Sequence, residues 1–203
     1  MLAGSDPDAD NLTYLKVSEP GHGTVTLNAQ TGAYTYAPVS NYSGNDTFSF
    51  KVNDGDLDSE TATVSITVSA VNDAPVASAI TMITEEDAAK SGSLVAADVE
   101  GNTLTFAKVT GPGHGEVTVN EMTGAFTYTP QENYDGLDSF TFKVNDGLLD
   151  SEVSTVRITV AAVNDVPVAK AMSIALDEDT AKEGALAGSD AEGGALLLSL
   201  IHI

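Results

Sequence analysis

The residues Val71-Asn72-Asp73-Ala74-Pro75-Val76-Ala77 return as Val163-Asn164-Asp165-Val166-Pro167-Val168-Ala169, 92 residues later. Most of the chain keeps that offset. Pro20-Gly21-His22-Gly23 pairs with Pro112-Gly113-His114-Gly115, and residues 41–55 match residues 133–147 at 11 of 15 positions without a gap. A strict period of this length constrains the fold more than composition does. It implies a tandem array of small domains, each large enough for its own core. The Asn-Asp-x-Pro stretch marks the joint. Proline removes a backbone donor and keeps the preceding residue out of helix, so the chain runs extended there.

On this reading residues 1–72 are a module without its first strand, 73–164 a complete module and 165–203 the start of a third. Residues 1–6 align with 93–98 and Ile203 with Gly111, so both ends fall inside a repeat and the chain reads as a stretch of a longer array. Residues 196–203 drift away from the repeat. No basic region and long apolar segment follow Met1 as in a signal peptide, and no apolar run approaches the ~20 residues of a membrane span.

Within the complete module the pattern has period two. Phe140, Phe142 and Val144 alternate with Ser139, Thr141 and Lys143; Val156, Ile158 and Val160 alternate with Thr155, Arg157 and Thr159. Phe126 with Tyr128, and Val117 with Val119, do the same. Weaker strands fit residues 76–83, 92–96 and 103–109. Turn signals such as Gly111-Pro112-Gly113 and Asn145-Asp146-Gly147 separate them. The expectation is an all-β array of seven-stranded Greek-key sandwiches of the cadherin or immunoglobulin kind. All twelve Phe and Tyr residues pair at the 92-residue offset, as core residues would. Tyr42 and Tyr134 sit in loops. Each is expected to bury its ring and hydrogen-bond a neighbouring strand, with an exposed stacking platform as the rival.

Net charge is −22 with only eight Lys and Arg, which argues against nucleic acid and anionic membrane as partners. There is no cysteine, hence no disulfide and no thiolate metal site. The acids are not scattered. With seven alternating strands the chain enters a module at one pole and leaves at the other, and each pole collects carboxylates. The first joint would draw on Asp46, Asn72, Asp73, Asp98, Glu100, Asn102 and Asp146. The second would draw on Glu85, Glu86, Asp138, Asn164, Asp165, Asp190 and Glu192. Crowded carboxylates repel unless a hard cation bridges them, and six to eight oxygen ligands are what calcium takes. The alternative is a solvated acidic surface. Residues 6–11 imitate the start of an EF-hand loop but lack its glycine and its closing glutamate, so that motif is excluded.

These residues carry a resemblance. Asn-Asp-x-Pro, Thr84-Glu85-Glu86-Asp87, Asp98-x-Glu100-Gly101 and Val144-Asn145-Asp146-Gly147 look like the calcium motifs of cadherin repeats. The wider pattern, from Gly113-His114-Gly115 through residues 133–142 to Asn145-Asp146-Gly147, resembles bacterial cadherin-like and VCBS-type tandem repeats of large surface adhesins. The resemblance implies a calcium-stiffened, extracellular sandwich array that serves adhesion or acts as a stalk. It makes the linker Asn-Asp pairs, Glu85, Glu86, Asp98 and Glu100 the ligands, with Asp6 and Asp8 in the first module. The cadherin Leu-Asp-Arg-Glu segment is missing; Asp46 and Asp138 approximate its position.

His22 and His114 occupy the same turn of successive modules and read as structural residues. No Gly-x-Ser-x-Gly, phosphate loop or His-Glu-x-x-His is present, so no enzyme is expected. The expected partners are neighbouring modules of the array, with surface glycans or other cells beyond them. A second reading is an accessory pair of a secreted polysaccharide-degrading enzyme, binding carbohydrate through Tyr42 or Tyr134.

Overall fold

The computed structural model describes residues 1–198. It divides into two compact units, Met1–Asn72 and Asp73–Ile203. All regular structure among the described residues is β.

The second unit is the fuller one. Its strands are β6 (Val76–Ser78), β7 (Ile80–Glu85), β8 (Lys90–Ser93), β9 (Val95–Ala97), β10 (Thr105–Thr110), β11 (Gly115–Val119), β12 (Ala125–Pro130), β13 (Gly136–Asn145) and β14 (Ser154–Ala161). Four strands form one sheet in the order β10-β13-β14-β7, and three form another in the order β11-β12-β8. Phe140, Phe142, Val144 and Val156 point into the space between them with 0% of their surface exposed. Tyr128, Ile158, Val117 and Phe126 join that core, and the Phe126 and Phe140 rings meet edge to face at 5.2 Å. The residues expected on the buried faces are the ones that the sheets bury.

Two of the expected strands are broken. The first, over 76–83, splits at Ala79. Its first half, β6, pairs with β9, while its second half, β7, runs parallel to β14. The second, over 92–96, splits at Leu94: β8 pairs with β12 and β9 with β6. At each break the strand leaves one sheet for another pairing. Leu94 drops into the core there, and its N–H donates to Gly124 O at 2.8 Å. The parallel pairing of β7 with β14 also fixes the strand directions. First and last strands run the same way, as seven alternating strands require. A bulge between Lys108 and Thr110 turns Val109 outward.

The first unit repeats this plan from the third strand on. Its strands are β1 (Thr13–Ser18), β2 (Gly23–Leu27), β3 (Tyr34–Pro38), β4 (Gly44–Asn53) and β5 (Ala62–Val68), in a β1-β4-β5 sheet and a β2-β3 hairpin. Leu2, Val25, Phe48 and Phe50 form its core. Leu2 donates its N–H to Gly32 O at 2.7 Å, the bond that Leu94 makes 92 residues later. After β14, β15 (Val168–Ala169) pairs with β16 (Gly188–Ser189) in the register of β6 with β9. His202, the third histidine of the sequence, lies outside the described residues.

Candidate metal-binding poles

The incoming segment of the second unit is tied to the loop between β9 and β10. Asp73 N–H donates to Glu100 Oε2 at 3.2 Å, and Asn102 N–H donates to Asp98 Oδ1 at 2.8 Å. Gly101, at φ +75°, supplies the left-handed residue that this tight turn requires. Asp73, Asp98, Glu100 and Asn102, expected at one pole, are therefore gathered by hydrogen bonds. The set recurs: Asp165 N–H donates to Glu192 Oε1 at 3.2 Å and Gly194 N–H to Asp190 Oδ1 at 3.1 Å. In the first unit Asp6 Oδ1 accepts from Asp8 N–H and Asp10 N–H at 2.8 and 3.3 Å.

One atom in this arrangement has nothing to do. Asp98 Oδ2 is buried and accepts no hydrogen bond. A carboxylate oxygen taken out of water without a partner costs roughly 1–3 kcal/mol or more.

At the opposite pole Glu86 is buried, and its Oε1 accepts from Val163 N–H at 2.6 Å while its own N–H donates to Ala161 O at 2.9 Å. Glu86 therefore holds the outgoing segment. Glu85, at the end of β7, faces solvent opposite Ala161. Asp87 sits at φ +57°, and its Oδ1 accepts from Asn133 N–H at 3.1 Å, linking two loops of this pole. Asn164 Nδ2 donates to Asp165 O at 3.0 Å. Asn72 is the last residue of the first unit.

Asp146 is committed to its own turn, where Oδ1 accepts from Leu148 and Leu149 N–H at 2.7 Å each. Beside it Asp150 accepts from Lys143 Nζ and Asn145 Nδ2, and the Lys143 bond holds its carboxyl below the usual range.

Asp46 and Asp138 have an occupation that the sequence reading missed. Asp138 Oδ1 accepts from Gly113 and Ser139 N–H at 2.8 Å, and Oδ2 accepts from His114 N–H at 3.0 Å and Tyr128 Oη at 2.9 Å. Asp46 does the same with Gly21, Thr47, His22 and Tyr36. Both oxygens of each carboxylate are filled by protein donors, which makes these aspartates turn clamps rather than spare metal ligands. The signal was present: Asp, Tyr and Pro-Gly-His-Gly all keep the 92-residue offset together.

The histidines are structural in a specific way. His114 stacks on Tyr134 with centroids 4.1 Å apart and planes at 6°, and His22 stacks on Tyr42 at 4.2 Å and 4°. Tyr134 Oη donates to Leu137 O at 2.8 Å, three residues on, and Tyr42 Oη to Asn45 O at 2.7 Å. The expected bond to a neighbouring strand is thus a local one that closes the loop. The two tyrosines are half-buried, with one ring face covered by histidine.

Among the described residues no three His, Cys, Asp or Glu side chains converge into a group able to hold a metal ion. The donor set at the incoming pole is nevertheless oxygen throughout, with one buried carboxylate oxygen unserved. That chemistry fits a hard divalent cation which also takes backbone carbonyls and amide oxygens.

Known proteins bear on this geometry. Residues 1–70 match the bacterial cadherin-like domain, and residues 72–159 match the bacterial Ig domain. Integrin beta-like protein A of Dictyostelium discoideum is 28% identical over 240 residues, covering 98% of this chain and 12% of that protein. The chain thus spans a small part of that curated relative. Human CDH23 EC21-23 superposes with a TM-score of 0.60 at 16% identity, covering 94% of this chain and 77% of that one. Mouse cadherin-23 EC22-24 does so with a TM-score of 0.51 at 22% identity, covering 75% of this chain and 53% of that one. At such identity these likenesses establish the fold. Among the described residues no helix is long and apolar enough to cross a membrane.

Proposed function

We propose that this chain, a tandem array of bacterial cadherin-like and bacterial Ig domains, is a non-catalytic spacer of an extracellular adhesin whose module poles bind calcium. Repeats of this kind are of adhesin type and typically extracellular, which supports the setting. The observation that carries the calcium reading is the buried, unpartnered Oδ2 of Asp98, in a loop whose other acid, Glu100, is tied to the incoming Asp73.

Asp98, Glu100, Asn102 and Asp73 would hold the ion at the incoming pole, and Asp190, Glu192 and Asp165 repeat that set downstream. Glu85 and Glu86 would serve the outgoing pole. Calcium bound there supplies positive charge that offsets the crowded carboxylates. Its mechanical effect would be to restrict bending of the Asn-Asp-x-Pro linkers. Such an array holds a distal binding domain away from the cell, with neighbouring modules as its first partners and surface glycans or other cells as its targets.

The test is a thermal melt in millimolar calcium and again in excess chelator, with magnesium as the control. A rise in Tm with calcium that magnesium does not reproduce is expected. Identical melts in all three conditions would leave the acids as solvated surface and remove the mechanism.

A further inference from the structure

We infer that the outer face of the β10-β13-β14-β7 sheet, centred on Arg157, binds a carboxylated polysaccharide. Arg157 is the only arginine in a chain whose net charge of −22 opposes a polyanion at long range, so the contact is a short-range one made at physiological salt. Arg157 stands exposed on β14 with Ser139 of β13 on one side and Thr81 of β7 on the other. The row beside it is Leu137, Thr159 and Ile83; the row on its other flank holds Thr141 and Thr155, with Thr110 opposite Thr141. A groove of about 740 Å³ crosses these rows, lined by Arg157, four threonines, Ser139, Leu137 and Asp138 among others.

Much of the polar part of this lining is unspent, although Thr110 Oγ1 is paired with Thr141 Oγ1 at 2.6 Å. Among the described residues the side chains of Thr81, Ser139, Thr155, Arg157 and Thr159 make no hydrogen bond or ion pair with the protein. Among the described residues no acid forms an ion pair with Arg157, although Asp138 shares the groove. Asp138 is turned into its own clamp, and Asp150 is paired with Lys143. Glu85 is the acid at the far end of this face, four residues along β7 from Thr81. That is about 13 Å at ~3.3 Å per residue, beyond a Debye length of ~8 Å at physiological salt.

The first unit supplies an internal contrast. At the 92-residue offset Ser65 stands for Arg157, Asn45 for Leu137 and Thr67 for Thr159. There Thr67 Oγ1 donates to Asn45 Oδ1 at 3.1 Å, so the residue that stands for Thr159 has a partner. In the second unit Leu137 removes this partner from Thr159 and Arg157 adds a cation. Two otherwise closely repeated strands thus differ in a way that opens one face to a ligand.

The chemistry selects the occupant. A guanidinium fork matches a planar carboxylate in two parallel hydrogen bonds, which an ammonium does not do. Free hydroxyls exchange hydrogen bonds with sugar hydroxyls, each group being both donor and acceptor. Leu137 and Ile83, 77% and 70% exposed, offer apolar surface to the C–H face of a pyranose. Six of the eleven lining residues carry a hydroxyl or a guanidinium, which favours a polar polymer over a peptide anchored by side chains in apolar pockets.

The test is affinity electrophoresis of the whole chain at ~0.15 M salt with chelator present, so that calcium cannot bridge polymer and protein. Polygalacturonate is the probe, with dextran sulfate, neutral dextran and polyglutamate as comparators. Polygalacturonate should retard the protein most. Arg157→Gln should weaken that by about tenfold. Arg157→Lys should fall between, Lys90→Gln on β8 of the other sheet should leave it unchanged, and the Arg157 variants should melt as the wild type does. No retardation, equal retardation by neutral dextran, or equal loss in Lys90→Gln would overturn the proposal. Stronger retardation by dextran sulfate would overturn the carboxylate assignment, and by polyglutamate the polysaccharide. None of these outcomes depends on whether the poles bind calcium.

Discussion

Tyr128 Oη donates to Asp138 Oδ2 at 2.9 Å, and this bond joins the buried core to the Gly113-His114 turn. Tyr128 is fully buried, so its hydroxyl has no water to turn to. The carboxylate in turn anchors two N–H groups of the turn. Asp138→Ala would leave the N–H groups of Gly113, His114 and Ser139 without their acceptor and Tyr128 Oη with only its longer bond to His114 O at 3.3 Å. We expect a loss of about 2–4 kcal/mol, a fall in Tm of roughly 10–20 °C for a module this size. Tyr128→Phe should cost less, about 1–2 kcal/mol, because three N–H donors remain on the carboxylate. Differential scanning calorimetry of both variants checks the order; equal losses would contradict the clamp.

The same clamp sets an acid limit. Burial pushes the Asp46 carboxyl up, but hydrogen bonds from His22, Gly21, Thr47 and Tyr36 outweigh it and hold the pKa at about 2, below the ordinary 3.8. Asp138 is lowered for the same reasons. A depressed folded pKa contributes stability that is complete above the unfolded value and is lost as pH falls through the folded one. The melting temperature should therefore hold down to about pH 4 and drop between 4 and 2. An NMR titration placing the Asp46 midpoint near 4 would refute this. At the alkaline end burial and the Asp46 bond push Tyr36 up to about 12. Its contribution is complete below pH 10 and is lost through pH 12, which absorbance at 295 nm will follow.

Asp98→Asn should act in opposite directions with and without calcium. In chelator it removes a charge whose Oδ2 is buried and unserved, so the variant should melt no lower than the wild type. In calcium it removes a ligand. One site with a Kd of ~0.1–1 mM at tenfold saturation adds about 1.4 kcal/mol, or about 5–10 °C, and most of that increment should vanish. Wild-type and variant melts in both buffers decide it. An increment retained in full would remove Asp98 from the ligand set.

Gly115 is required by space rather than by backbone freedom. A Cβ there would stand 2.5 Å from Thr129 O and 2.7 Å from the Tyr128 ring. Neither can move, since Thr129 O belongs to the β11-β12 hairpin and Tyr128 fills the core. Gly115→Ala should cost about 2–3 kcal/mol by overpacking. Gly147→Ala meets no neighbouring atom, so its cost should come only from φ +101°. Urea unfolding of the pair separates the two causes.

The buried faces were legible because period two has one consequence: Phe140, Phe142 and Val144 must share a side. The strand directions followed from parity, and with them the meeting of Asp73 with Glu100. What the sequence hid was non-local. A strand that changes sheets at Ala79 or Leu94 stays extended on both sides of the break, so its periodicity carries no mark. Asp138 was read with the poles because it is acidic and near them in sequence order; its true partners are 25 and 10 residues away, at Gly113 and Tyr128. The loop tyrosines were placed correctly in a turn, but the stacking by His22 and His114 needs the fold to bring the two loops together.

The parallel pairing of β7 with β14 has a mechanical meaning. These are the first and last strands of the sheet, and the chain enters before one and leaves after the other at the opposite pole. Tension applied to the two ends slides the strands past each other along their length. Six registered positions, from Ile80 opposite Val156 to Glu85 opposite Ala161, then bear the load together instead of unzipping singly. Beyond them, Glu86 fastens Val163 at 2.6 Å, placing a charged rivet at the end where shear would begin.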